Sequence, residues 1–188
     1  MSMIIDGTNG LTFNNATTQS AAGLVVGTAS AITTGTAVAS TSGTSIDFTN
    51  IPSWVKRVTV MFNGVSTNGS SVPIIQLGAG SVDATSYNAS SGLVSTTNNT
   101  TRGISTTTGF GIYGASSSAT YTYSGAITFS AFGSNSWVAS GCVAAPNDVS
   151  TTYLAGSKTL SGVLDRVRIT TSNGTDTFDA GSINILYE

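Results

Sequence analysis

The chain of 188 residues is only 7% charged, with a formal net charge of −2, so it lacks the basic footprint that nucleic-acid binding requires. Its 39% apolar residues are enough for a core and exclude wholesale disorder. Its 29 Ser, 31 Thr and single Glu, Glu188, favour strands and turns over long helices. No segment is polybasic or amphipathic enough for a membrane surface, and no apolar run is long enough to span a bilayer. The start MSMIIDGTNG has neither the basic residues nor the apolar stretch of a signal peptide.

In chain order, residues 1–40 differ from the rest. Two extended pieces, 4–7 and 10–14, flank a turn at Asn9-Gly10, and residues 15–22 are read as a brief helix with Asn15 near its start. Residues 23–39, GLVVGTASAITTGTAVA, have too few large apolar side chains to build a core of their own. They are either a flexible linker or a stretch that becomes ordered only against other chains.

From residue 41 onward the pattern is that of strands. Residues 45–48 form a short one. In 53–65, SWVKRVTVMFNGV, Val58, Val60 and Phe62 alternate with Thr59, Met61 and Asn63, and Asn63-Gly64 is read as a turn. Residues 72–77 are a compact apolar run in which Pro73 marks a strand start or edge. Residues 87–101 read as a long loop, with a strand around Gly92-Leu93-Val94. Weak alternation over 104–113, clean alternation over 121–131 and a run over 137–144 follow. Residues 163–170 and 177–187 flank Ser172-Asn173-Gly174-Thr175 and predict a hairpin. Eight to ten strands without crossover helices mean an all-β fold, an antiparallel β-sandwich or jelly roll over 41–188, with 1–40 as an extended N-terminal segment.

The chemistry read from the sequence is sparse. The chain has no His, which removes His-based triads and the usual zinc sites, and no motif implies a cofactor. A glycosidase needs two facing carboxylates; Asp176 and Asp179, the nearest pair in sequence, are read as turn and strand-end residues. Asp165 is expected to pair with one neighbour while Arg166 and Arg168 cover a strand's outer face. Gly78-Ala79-Gly80 and Gly109-Phe110-Gly111 lead into no helix and carry no Lys, so they are turns or bulges rather than phosphate loops. The six Asn-x-Ser/Thr triplets are about what chance gives at this Ser and Thr content. Cys142, the only cysteine, is expected to be reduced and buried. Trp54 and Trp137 are read as packing residues rather than sugar platforms. Loops 63–71 and 85–103 combine hydroxyls, amides and an aromatic ring, and offer Thr67, Asn68, Tyr87, Asn98 and Asn99 as candidate ligand contacts.

Two stretches carry a resemblance. Gly7, Gly10, Leu11, Thr12, Phe13, Thr17, Thr18, Gln19 and Ala22 match a short segment, G-x-x-G-L-T-F-x-x-x-T-T-Q-x-x-A, of bacteriophage tail-fibre and related virion proteins. Residues 35–71 and 160–188 resemble a domain at the C-termini of tail-fibre-like proteins, with 80–155 the least recognisable. The resemblance implies a non-enzymatic virion protein made in the host cytoplasm, a short fibre or fibre tip, and a homotrimer. Its N-terminal segment would meet other tail, baseplate or capsid proteins, and its distal sandwich would contact a bacterial surface glycan. Decoration or connection of a capsid or baseplate without host contact is the alternative.

Overall fold

A computed structural model describes residues 4–6, 10–12, 18–19, 32–97, 100–113 and 117–188. The chain divides into two units, Met1–Ile32 and Thr33–Glu188, so residues 33–40 belong with the sandwich rather than with the N-terminal segment. In the first unit β1 (Ile4–Asp6), β2 (Gly10–Thr12) and β3 (Thr18–Gln19) form a small antiparallel sheet. The helix expected over 15–22 is replaced at Thr18–Gln19 by strand; the rest of that span lies outside the described residues.

The second unit is an antiparallel two-sheet sandwich. Its strands are β4 (Thr33–Thr34), β5 (Val38–Ala39), β6 (Ser45–Thr49), β7 (Arg57–Thr67), β8 (Pro73–Ala79), β9 (Ser81–Val82) and β10 (Asn88–Ser95). They continue with β11 (Thr100–Thr106), β12 (Phe110–Gly111), β13 (Tyr123–Gly133), β14 (Ser136–Ala145), β15 (Ser150–Thr159), β16 (Arg166–Thr171) and β17 (Phe178–Tyr187). The larger sheet has the order β11-β10-β15-β14-β13-β7-β17-β4, with β5 also on β17; the smaller is β12-β8-β16-β6, with β9 on β8.

The core lies between the sheets and follows period-two alternation. Val58, Val60 and Phe62 of β7, Ile127 and Phe129 of β13 and Ile183 of β17 are buried against Ile75 and Leu77 of β8 and Val167 and Ile169 of β16. Each such side chain contributes roughly 1.5–3 kcal/mol of transfer free energy. Phe110, from the two-residue β12, stands edge-on to Tyr87 and Phe129 at 5.1 and 5.2 Å.

Five expectations are corrected. Asn63-Gly64 does not turn the chain: β7 continues to Thr67. Gly64 takes φ 64° opposite the register shifts of β17, where Gly181 has φ 87°. A Cβ on Gly181 would lie 2.4 Å from the backbone of Gly64, so the two glycines let paired bulges pass each other. The long loop over 87–101 is a hairpin, β10 on β11, and the run over 104–113 splits between β11 and β12 in different sheets. The hairpin expected around Asn173-Gly174 is an arch: β16 pairs with β6 and β8, β17 with β7, and the turn carries the chain from one sheet to the other. Cys142 is exposed, because it alternates with buried Val143 on β14.

Candidate functional site

The registers sort the connections onto two ends. With β7 taken as running upward, the antiparallel ladder through β13, β14, β15 and β10 brings residues 68–72, 96–97, 112–113, 117–122, 146–149 and 172–177 to the upper end. Residues 50–56, 80–87, 107–109, 134–135 and 160–165 lie at the lower end.

At the upper end the chain leaves β14 through a 3-10 turn, Pro146–Asp148. Asn147 is held by Thr122, whose N–H donates to its Oδ1 at 3.1 Å, and by the Thr120 carbonyl. Val149 follows at φ 52°, a left-handed conformation that is unusual for a β-branched residue. It is kept there by bonds from its N–H to Pro146 and to its carbonyl from the Thr96 N–H.

The Asp148 carboxylate accepts the Tyr113 hydroxyl at 2.6 Å, and the Tyr113 ring lies 5.5 Å from Tyr121 and 5.7 Å from Tyr123. The Tyr123 hydroxyl in turn bonds that of Ser117. Burial raises the Asp148 carboxyl pKa, but the Tyr113 and Tyr121 phenols and the charge of Arg102 outweigh it and hold the carboxyl below its usual value. The Tyr113 and Tyr123 phenols are pushed well up, first by burial, and Tyr121 is raised chiefly by its bond to Asp148. Near neutral pH this cluster is therefore one fixed acceptor ringed by protonated donors, a hydrogen-bonding device rather than a poised acid–base pair.

No family model, curated protein or solved structure matches the chain.

Of the candidate contacts, Asn68 is exposed at the upper end, and its Oδ1 accepts the Thr177 N–H at 2.8 Å. Thr67, its neighbour, is buried, so it is a packing residue and not a contact. Asn98 and Asn99 lie outside the described residues; Ser95 and Thr100, the strand ends that flank them, pair at this same end.

Tyr87 is a correction. It is buried at the lower end, where its hydroxyl accepts the Leu77 N–H at 2.8 Å and donates to the Asp83 carbonyl at 2.7 Å. Lys158, 4% exposed, lies over its ring, 5.0 Å from the centroid. The ammonium pairs with Asp83 at 2.6 Å and donates to the Thr85 carbonyl at 2.7 Å. Sequence reading missed Lys158; its alternation with the exposed positions of 150–157 was the available signal. It also missed the upper cluster, although the clean alternation over 121–131 puts Tyr121 and Tyr123 on one strand face.

The acids read as structural behave so. Asp176 accepts from the Ser71 N–H at 2.9 Å and Asn173 Nδ2 at 2.6 Å, and Asp179 accepts from the Ser66 hydroxyl. Asp165 pairs with Arg166, and Arg168 with Asp47, each at 2.7 Å. Trp137 is buried, whereas Trp54 is exposed and tilts against Tyr187 at 5.9 Å. Among the described residues no three His, Cys, Asp or Glu side chains gather as a metal site, and no helix is long and apolar enough to cross a membrane. A groove of about 340 Å³ on the outer side of the smaller sheet, lined by Ile74, Gln76, Arg168, Thr170 and Asn173, opens beside the 172–177 turn.

Proposed function

We propose that this chain is a non-enzymatic virion protein of the tail-fibre type, a short fibre or fibre tip whose sandwich contacts a bacterial surface glycan with its upper end. The N-terminal segment would meet other virion proteins, and the resemblance implies three copies per assembly. The reading rests on the matching stretches at 7–22, 35–71 and 160–188. The observation that carries its adhesive half is the upper end itself. Asn68, Thr97, Thr120 and Asn147 stand exposed there, a set of uncharged donors and acceptors suited to a hydroxylated ligand.

The test is adsorption by particles carrying Asn68→Ala together with Asn147→Ala. The expected result is at least a tenfold loss of adsorption, with the particles still containing the protein. Unchanged adsorption overturns the adhesive half. The alternative, a capsid or baseplate decoration or connector without host contact, is favoured by the uncharged outer face of strands β10, β15, β14 and β13. On that reading, particles lacking the protein assemble and infect normally but are fragile.

A further inference from the structure

The four adjacent strands β10, β15, β14 and β13 contain one charged residue, Lys158, and it points into the core. Their outward positions are therefore entirely uncharged. Alternation with buried Leu93, Leu154, Val143 and Ala139 turns Val94, Tyr153, Cys142 and Val138 outward. Val94, Tyr153 and Val138 are 49%, 59% and 42% exposed. The registers Val94↔Thr151, Tyr153↔Cys142 and Val138↔Ser157 set these three on a diagonal of about 22 Å, from strand spacing and rise. Phe132, 80% exposed, stands at the lower rim, where the register of β13 on β14 shifts between Ala131 and Gly133. The smaller sheet is the contrast. Its outer side carries the Arg168–Asp47 pair and is flanked by Thr108, whose carbonyl accepts Gln76 Nε2.

We infer that this outer face packs against the same face of a second copy of the chain. Two observations favour that occupant. With no charge on the face, same-face contact carries no like-charge penalty and strands no ion away from water. Four strands of eight to eleven residues give a footprint of roughly 600 Å² per copy from strand spacing and rise. Two such footprints, roughly 1,200 Å², reach the lower bound of stable interfaces. Two twisted sheets stack at about 10 Å with their strands within about 30°, which brings the diagonals of Val94, Tyr153 and Val138 against each other. The inference rests on the sandwich alone and not on the tail-fibre reading.

Cys142, exposed on the central strand of the face, is a native reporter. The experiment uses the full chain and measures native mass by light scattering together with the rate at which a thiol reagent modifies Cys142. The expected result is association, with Cys142 modified at least tenfold more slowly at high protein concentration than at high dilution. Tyr153→Lys with Val138→Lys should lower the native mass, by removing this face-to-face contact whatever other contacts join the copies, and give fast modification at every concentration. Thr97→Lys with Thr120→Lys, at the upper end, should change neither, and circular dichroism checks that both variants remain folded. A monomeric wild-type chain overturns the proposal. So does association that the face charges do not weaken, or slow modification that does not depend on concentration, since the chain would then be covering its own face.

Discussion

Each end of the sandwich sets an Asp against a buried Tyr, and the two differ in what offsets the carboxylate. At the lower end the buried Lys158 pairs with the partly exposed Asp83, and a carbonyl and an aromatic face complete its shell. At the upper end Asp148 is held by phenol donors, with Arg102 acting only through its charge. A buried ammonium needs all its partners, because a lone ion in the interior is costly. The lower end is therefore locked. A carboxylate held by neutral donors needs no buried cation, so the upper end is not locked in this way. The comparison teaches that an Asp beside a buried Tyr can be anchored in two ways, by a buried cation or by neutral donors.

That contrast can be broken most severely at Lys158. Lys158→Met leaves Asp83 without its cation and should lower unfolding free energy by about 3 kcal/mol, read from urea denaturation. Tyr87→Phe strands the Leu77 N–H and frees the Asp83 carbonyl, for a loss of about 2 kcal/mol in the same measurement. Tyr113→Phe, which removes one donor from the partly exposed Asp148 and strands no backbone N–H, should cost about 1 kcal/mol. A smaller loss from Tyr87→Phe than from Tyr113→Phe would contradict the idea that the lower end is the locked one.

The pH profile sharpens the comparison further. Asp83 is held below its usual value chiefly by its bond to Lys158, and Asp148 by the donors that outweigh its burial. Carboxyls with a lowered folded-state pKa add stability that is fully present above the unfolded value of about 3.9 and lost as pH falls through the folded value. Thermal midpoints should thus be level near neutral pH and fall on acidification. Asp148→Asn should make that acid limb shallower, and an unaltered limb would count against an ionised Asp148. The smallest effect belongs to Arg168→Ala, which opens a half-exposed pair with Asp47 and should cost about 0.5 kcal/mol.

Much of the fold was legible from alternation. Val58, Val60 and Phe62 on β7, Ile127 and Phe129 on β13 and Pro73 opening β8 all stand where period two and proline chemistry put them. The site was less legible. Asn68 reached an exposed loop, but Thr67 one residue earlier is core, because β7 runs past Gly64 on a bulge that the dipeptide Asn63-Gly64 did not distinguish from a turn. Tyr87 read as a loop aromatic, yet its ring is needed to fill the space beside Phe110 and beneath Lys158.

The sequence by itself determined the class of fold. Hydroxyl-rich, β-branched alternation with turn residues at its breaks permits little but antiparallel strands, since that information is local. Pairing is not local. Residues 166–171 and 178–187 flank a good turn, and whether they pair or part depends on which partners are available. β7 and β8 compete for them and win, because each buries a continuous apolar row that a two-stranded hairpin would leave open to water. Only the tertiary structure decided that arch, the inward Lys158, the uncharged face around Cys142 and the meeting of Tyr113 with Asp148. All four depend on contacts between residues far apart in the chain.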